Sequence, residues 1–206
     1  MVALDEFSPG QIRLRLEPIL RFQRYRNLDE VAPAIREVAA EMASVAEELA
    51  EPRVVFRRRR VEKVYADGLR LEGGPTFSGQ CLGTHLRAAR EAICFLTTIG
   101  PVLDERVARM AAEDELLEAL FLDTAGWLAI EETLRGFRAY LLSRLRAERL
   151  RVSPRLGPGY LDWPLTDQTS LFSVSAGTAV PVALSDECVM TPKKSVSGLF
   201  GLVEIA

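Results

Sequence analysis

The hydrophobic positions between Val31 and Leu49 recur at alternating intervals of four and three residues. This spacing places them on one face of an α-helix. Asp29 stands where an N-cap residue is expected and Pro52 follows the last hydrophobic position, so the pattern predicts an amphipathic helix from Asp29 to about Leu49. Its buried face would consist of Val31, Ile35, Val38, Met42, Val45 and Leu49.

Strand patterns follow this helix. The stretches VVF, VEKVY and LRLE carry β-branched or alternating hydrophobic residues, and a turn at Asp67-Gly68 separates the last two, which predicts a β-hairpin. The segment AICFLTT is apolar, ends at Gly100-Pro101 and is typical of a strand. Between the hairpin and this strand, Ser78 can cap a short helix that extends to Arg90.

The middle of the chain has the strongest helical character. Helical patterns run from Val102 to about Ala112 and from about Glu115 to Leu150. Gly126 and Gly136 interrupt the second pattern, and each is either a weak point or a site where another segment packs closely.

Strand character returns after a further short helix predicted from Asp167 to Val174. The segments PVALSDECVM and SVSGLFGLV have the β-branched content of strands and lie on either side of a TPKK turn. Helices in the middle with strands on both sides predict an α+β fold with a largely antiparallel, twisted sheet and flanking helices. We expect residues 1–206 to form a single domain, within which residues 1–78 are a candidate N-terminal subregion.

Composition narrows the class of protein. The chain has 206 residues, of which 48% are hydrophobic and 27% are charged, as in ordinary globular proteins. No uncharged apolar run approaches the roughly 18 residues that span a bilayer. The start, MVALDEFSPG, lacks the basic and apolar regions of a secretory signal. We therefore expect a cytoplasmic protein with no membrane partner.

The net charge argues against nucleic acid as a partner. It is −3, whereas phosphate binding is driven by clustered cations. The four consecutive arginines at Arg57–Arg60 are the local exception. No aromatic residues that could stack on bases are interleaved with them, so a solvated strand or hairpin flank is favoured over a nucleic-acid patch.

Cysteine and histidine offer few routes to metal or acid–base chemistry. Cys81, Cys94 and Cys188 are odd in number and widely spaced, so we expect reduced, buried thiols rather than a disulfide framework or a paired zinc motif. The one histidine, His85, lies four residues after Cys81 and could form half of a metal site or a thiolate pair with it. Core packing of the thiol with a surface imidazole is the favoured alternative. The motifs of common hydrolases, phosphate loops and dinucleotide sites are absent, so a self-contained enzyme is disfavoured.

The segment SPRLGPGYLDWPLTDQTSLF, residues 153–172, has neither helical nor strand periodicity. Gly157 and Gly159 would let the backbone approach a ligand, and Pro158 stiffens the turn between them. Arg155 supplies a planar guanidinium suited to a carboxylate or phosphate, and Tyr160 supplies a ring for a base or a cation. Taken alone, this composition favours a structural turn with a surface arginine.

Two ordered motifs, about 25 residues apart, change that interpretation. Together they resemble the activation, or reactivation, domain of cobalamin-dependent methionine synthase. The similarity is closest over the last 50 or so residues, and the best-matching part, residues 100–206, includes the preceding long helix. The matching positions are Arg155, Gly157, Pro158, Gly159, Tyr160 and Pro164, then Leu184, Ser185, Asp186, Met190, Pro192 and the SVSG sequence at 195–198.

The resemblance implies a function. In that family the domain presents S-adenosylmethionine to an oxidised corrinoid cofactor, which a flavodoxin-type donor reduces and which is then remethylated. By this resemblance Arg155 would pair with the methionyl carboxylate, Gly157 and Gly159 would lie against the adenosine, and Tyr160 would shape the pocket near the sulfonium.

A carboxylate on the long helix would complement the ammonium group of the ligand. Asp123 and Glu131 are candidates because they are eight residues apart and so lie roughly on one helical face. The favoured alternative for both is a solvated helix face.

The sequence also departs from the family. Asp162-Trp163 stand where long members have a cysteine and a histidine, so the roles of those residues cannot be transferred. The chain ends at Ala206 without the family's His-Pro and tyrosine-containing extension, so we expect part of the pocket to be missing. It also lacks the signature of a cobalamin-binding module, so cobalamin would have to be carried by a partner chain.

Three hypotheses follow. The first is a stand-alone activation-domain-like protein that binds S-adenosylmethionine and supports reductive methylation of a corrinoid on a partner. That partner would be a corrinoid protein or a methionine synthase lacking its activation domain, and no catalytic residue is predicted in this chain. The second is a non-catalytic binding or scaffold module with a decayed S-adenosylmethionine pocket. The third, a small-molecule methyltransferase acting alone, is disfavoured because no general base is evident.

Overall fold

The structure is a computed structural model that describes residues 5–174 and 181–205. It contains six α-helices and nine β-strands within those ranges. In chain order they are β1 (Asp5–Phe7), α1 (Leu16–Phe22), α2 (Pro33–Leu49), β2 (Arg53–Tyr65), β3 (Gly68–Leu71), β4 (Thr76–Ser78), α3 (Gln80–Leu86), β5 (Glu91–Thr98), α4 (Val102–Ala112), α5 (Leu116–Leu145), β6 (Leu150–Val152), α6 (Asp167–Ser173), β7 (Ala183–Leu184), β8 (Met190–Thr191) and β9 (Ser195–Glu204).

Seven of the described strands form one sheet in the order β4-β3-β2-β5-β9-β6, with β1 paired to the first part of β2. Every strand pair is antiparallel, and β5 and β9 pair along their lengths, from Glu91 opposite Leu202 to Thr98 opposite Ser195. Strands β7 and β8 form a separate two-stranded hairpin. The predicted α+β fold with a largely antiparallel sheet is confirmed, whereas the single-domain organisation stays a prediction.

Strand β5 lies between two hydrophobic cores, and its successive side chains belong alternately to one core and the other. Ile93 and Phe95 belong to the larger core, which the sheet forms with α1, α2, α4 and α5. Ala92 and Cys94 belong to the smaller core, on the face covered by α3 and α6. The ring of Phe137 on α5 lies 5.8 Å from that of Phe95, which fixes the long helix against the centre of the sheet.

Most elements predicted from local periodicity are confirmed, including α4 and the hairpin around Asp67-Gly68. Helix α2 begins at Pro33, because proline fits the first turn of a helix and Ala32 holds the N-cap position, so the prediction of a start at Asp29 was wrong. The segment PVALSDECVM is a hairpin rather than one strand. The Ser185 hydroxyl accepts hydrogen bonds from the backbone N–H groups of Glu187 and Val189 and so stabilises the turn.

The long helix α5 ends earlier than its sequence pattern indicates. A 3₁₀ turn follows Leu145, Arg149 adopts a left-handed conformation with φ of 55°, and Leu150 begins β6. Gly126 is a site of close packing, because a Cβ atom there would lie 2.8 Å from the Leu103 side chain. Gly136 is not, since the nearest atom to a Cβ there would be 3.8 Å away.

The start of α3 depends on a residue distant in sequence. Ser78 was predicted as the N-cap but belongs to β4, and the helix begins at Gln80. The Asp162 carboxylate instead accepts hydrogen bonds from the backbone N–H groups of Gln80 at 2.5 Å and Cys81 at 2.9 Å. A carboxylate from another segment thus satisfies backbone donors that the helix itself leaves unpaired.

Trp163, next to this cap, is a core residue. Its indole N–H donates to Asp167 Oδ2 at 3.0 Å, and its ring packs edge-on against Phe77 with 5.4 Å between centroids. Asp162 and Trp163 therefore hold the segment against α3 and the smaller core.

The remaining sequence features lie as follows. The arginine run is part of β2, where Arg58 forms ion pairs with Glu91 and Glu148. All three cysteines are free; Cys81 and Cys94 are buried as predicted, whereas Cys188 is only half-buried.

Among the described helices, none combines the length and apolar character needed to cross a membrane.

Substitution of Gly198 by alanine is expected to lower the free energy of unfolding by about 1–3 kcal/mol, the usual cost of overpacking. A Cβ atom at this position of β9 would lie 2.6 Å from the Leu156 carbonyl oxygen. Urea unfolding measures the change. The control is Gly136→Ala in α5, which has room for the methyl group and should gain roughly 0.5–1 kcal/mol from helix propensity. Equal losses in both variants would contradict this assignment of Gly198.

Asp162→Ala is expected to lower the melting temperature, because it removes the carboxylate that caps α3. The hydrogen bonds from Cys81 and Gln80 lower the pKa of Asp162 below its usual value of about 3.9. Its stabilising contribution is therefore present above about pH 4 and is lost as the pH falls through the folded pKa. Thermal unfolding should show the largest difference from wild type at neutral pH and a narrowing difference below pH of about 4. Glu41→Ala, an exposed residue of α2, is the charge-matched control, and a difference that is constant from neutral pH into acid would contradict the cap.

Candidate functional site

The segment after β6 lies alongside β9 and pairs with it at one point. The backbone N–H of Leu156 donates to the carbonyl of Leu199 at 3.1 Å, and the N–H of Leu199 donates back to the carbonyl of Leu156 at 2.8 Å. Ser153 extends the contact, because its hydroxyl accepts a hydrogen bond from the Gly201 N–H at 2.8 Å. Residues 155–160 of the first motif and the SVSG end of the second, residues 195–198, therefore lie side by side.

Two glycines make this close approach possible. A Cβ atom on Gly157 would lie 3.1 Å from the Ser197 carbonyl oxygen, and one on Gly198 would lie 2.6 Å from that of Leu156. Gly159 has a different role: its φ is +84° and its N–H donates to the Trp163 carbonyl at 2.9 Å, so it closes the turn.

A cavity of about 220 Å³ lies between this loop and β9. Three of the predicted site residues, Arg155, Gly157 and Tyr160, line it, whereas Gly159 lies behind the turn and is not part of the lining. The SVSG motif contributed to the family resemblance in the sequence, but its residues were not predicted to line the ligand site. The full lining is Cys81, Arg155, Leu156, Gly157, Tyr160, Leu161, Val196 and Ser197.

Arg155 supplies the charge of the site. Its Nη2 atom lies 3.0 Å from Glu131 Oε1 of α5, so the structure brings these two predicted residues together. Its Nη1 atom is buried and has no hydrogen-bond partner among the described residues. A buried donor without a partner is unfavourable, and an incoming anion would satisfy it.

The mouth of the cavity is apolar and exposed. The side chain of Tyr160 is 66% exposed and that of Leu161 is 77% exposed. Leu161 also has a φ of 56°, a conformation that large side chains seldom adopt. An exposed leucine in a strained conformation beside a cavity is a feature that clusters at functional sites.

Cys81 contributes a neutral thiol to the lining. Burial, together with the neighbouring Asp162 carboxylate, raises the pKa of Cys81 to about 11, so the thiol stays protonated at neutral pH. His85 is exposed, and no group of three or more potential metal ligands occurs in the part of the chain that the structure describes. The geometry therefore matches a packed thiol and a surface imidazole rather than a thiolate pair.

Asp123 is held by a lysine that the sequence interpretation missed. Lys194 is only 3% exposed, and its Nζ atom lies 2.5 Å from Asp123 Oδ1 and 3.4 Å from Asp104 Oδ1. The same ammonium lies 5.1 Å from the centroid of the Trp127 ring. Asp123 thus faces an internal cation, while Glu131 lies at Arg155; the proposed roles of both toward a ligand stay predictions. The one signal for Lys194 in the sequence is its position in the TPKK turn directly before SVSG.

The two largest cavities described, of about 550 and 620 Å³, lie elsewhere, between the second half of β2 and the end of β9. Their linings carry charges of both signs, including Arg60, Arg90, Glu62 and Glu204. They contain none of the motif residues, so size alone does not identify the site.

Comparisons with known proteins bear on the fold. No protein-family model and no curated protein matches the sequence. Among solved structures, the crystal structure of the MetH reactivation domain bound to AdoHcy matches with a TM-score of 0.71, over 97% of this chain and 78% of that chain, at 15% sequence identity. The resemblance in fold that the two motifs implied is therefore confirmed: this chain is folded like the MetH reactivation domain.

Proposed function

We propose that this protein binds S-adenosylmethionine beside Arg155 and supports the reductive methylation of a corrinoid cofactor carried by a partner chain. The observation that carries the proposal is the single cavity lined by both sequence motifs, with Arg155 and Tyr160 from the first and Val196 and Ser197 from the second. The structural neighbour contains AdoHcy, which is the product left when S-adenosylmethionine gives up its methyl group.

The ion pair of Arg155 and Glu131 is complementary to the amino acid portion of this ligand. A free amino acid group carries a carboxylate and an ammonium close together. The buried Nη1 atom of Arg155 offers a donor to the carboxylate, and Glu131, whose side chain is 53% exposed, offers an acceptor to the ammonium. Binding would exchange one internal ion pair for two pairs with the ligand.

The apolar mouth suits the sulfonium and the nucleoside. The exposed ring of Tyr160 can lie against a cation or a base, and Leu161 adds apolar contact. The cavity of about 220 Å³ is smaller than the roughly 300–1,000 Å³ of pockets that enclose drug-sized ligands. The protein would therefore enclose part of the ligand and leave the remainder, including the methyl group, accessible to a partner.

The lining favours positioning over acid–base catalysis. No histidine or carboxylate is among the residues that line this cavity, and the Cys81 thiol is protonated at neutral pH. Attack on a sulfonium methyl group needs alignment rather than proton transfer. The nucleophile would be the reduced cobalt of a corrinoid on a corrinoid protein, or on a methionine synthase lacking its activation domain, with electrons from a flavodoxin-type donor.

A second candidate function is a non-catalytic binding module whose S-adenosylmethionine pocket has decayed. Two observations favour it: the cavity is small, and Lys194 already neutralises Asp123, one of the two carboxylates proposed for the ligand. This protein would recognise its partner through its surface and would bind neither S-adenosylmethionine nor S-adenosylhomocysteine.

Arg155→Ala is expected to weaken binding of S-adenosylmethionine about tenfold or more, because a charge-assisted hydrogen bond contributes roughly 1.5–3 kcal/mol. Isothermal titration calorimetry with S-adenosylmethionine and S-adenosylhomocysteine measures the affinities. Arg109→Ala, on the exposed side of α4, removes the same charge away from the cavity and should bind as wild type does. Equal affinities for the Arg155 variant and wild type would remove Arg155 from the site, and no binding by wild type would favour the second candidate.

Methyl transfer tests the corrinoid part of the proposal. Wild-type protein with methyl-labelled S-adenosylmethionine, chemically reduced cobalamin and purified flavodoxin should increase the label recovered with the corrinoid over a reaction without protein. Arg155→Ala should reduce that increase in proportion to its loss of affinity. Recovery of label that is the same with and without the protein would contradict a role in corrinoid methylation.

A further inference from the structure

Arg155 also lines a second cavity, of about 250 Å³, on the surface of α5. Glu131 lines the same cavity, and so do two further arginines of α5, Arg135 and Arg138. They are three residues apart and so lie on neighbouring positions of one helical face. Three arginines from two segments of the chain therefore line one small cavity.

The floor of this cavity is apolar and rigid. Leu134 is 4% exposed and Phe200 is 1% exposed, and both belong to the larger hydrophobic core. The ring of Phe200 is stacked on that of Phe95, with 5.2 Å between centroids. Because Leu134 and Phe200 are packed in the larger core, the backbone of α5 is fixed where it carries Arg135 and Arg138.

The carboxylates nearby do not match all three cations. Glu131 lies 3.0 Å from Arg155, and Glu132 accepts two hydrogen bonds from Arg135 at 2.8 and 3.0 Å. Arg138 forms no ion pair among the described residues; its Nη2 atom donates to the neutral carbonyl of Val152 at 3.2 Å. Three guanidinium groups thus face two carboxylates, and the buried Nη1 atom of Arg155 still has no acceptor.

We propose that this cavity is a binding site for a phosphate group, either as the free anion or as a phosphomonoester. A single carboxylate presents two oxygens and one negative charge, which one guanidinium satisfies. A phosphate group presents at least three acceptor oxygens, and the donors that no carboxylate engages here are the buried Nη1 atom of Arg155 and the guanidinium of Arg138. The volume of about 250 Å³ holds one such group with part of an attached molecule.

The phosphate site shares Arg155 and its partner Glu131 with the site proposed for S-adenosylmethionine, and it differs from that site in Arg135 and Arg138. Arg135 and Arg138 are not among the residues that line the cavity beside Tyr160, and phosphate chemistry plays no part in methyl transfer. Substitutions at these two residues therefore test the phosphate site, whereas substitution of Arg155 tests both cavities and is not used here.

Arg138→Gln is the decisive variant because it removes the cation that no carboxylate balances. Inorganic phosphate and glycerol 3-phosphate are titrated by calorimetry at low ionic strength into wild type, Arg138→Gln and the charge-matched control Arg109→Gln. Wild type and the control should bind with the same affinity, and Arg138→Gln should bind about tenfold or more weakly. Arg135→Gln, which alters a side chain that is 65% exposed, should weaken binding in the same direction with no effect on folding.

The two probes distinguish the source of the phosphate. Equal affinities would identify the free anion as the ligand, and tighter binding of glycerol 3-phosphate would identify a monoester, with both results supporting the site. The proposal is overturned if wild type binds neither probe. It is also overturned if both α5 variants, shown to be folded by circular dichroism, bind as tightly as Arg109→Gln does.

Discussion

The arrangement of the site depends on one antiparallel contact, the pair of hydrogen bonds between Leu156 and Leu199. This contact brings a loop without regular structure against strand β9, and it forms only because Gly157 and Gly198 leave room for two backbones to meet. The cavity beside Tyr160 is the space that remains next to that contact. The glycines of both motifs thus allow two backbone segments to pack closely, and the cavity is a consequence of that packing.

Helix α5 supplies the second half of the site. It is held against the sheet by Phe137, and its exposed positions present Glu131, Arg135 and Arg138 toward the loop that carries Arg155. One and two turns before Glu131, respectively, Trp127 and Asp123 instead contact the ammonium of Lys194. A single helix therefore contributes to two polar clusters. In one, carboxylates are paired with the buried ammonium of Lys194, and in the other, arginines outnumber carboxylates.

Sequence patterns predicted correctly those helices and strands that neighbouring residues determine. Helical periodicity indicated α4, an apolar run indicated β5, and turn residues indicated the hairpin around Asp67-Gly68, because each of these signals acts within a few residues. The ends of elements were predicted less well. The start of α3 is set by Asp162, about 80 residues away, and the end of α5 by the pairing of β6 with β9, so neither boundary is written in the neighbouring sequence.

The sequence by itself determined the antiparallel α+β class, the resemblance to a reactivation domain and the choice of Arg155, Gly157 and Tyr160, because these follow from residue type, order and spacing. Only the tertiary structure decided which carboxylate reaches Arg155 and which is taken by Lys194. Asp123 and Glu131 share a helical face and are equivalent in the sequence. They differ because electrostatic partners are chosen by distance across the fold, and the β8–β9 turn brings a buried ammonium to one of them and the loop after β6 brings a guanidinium to the other.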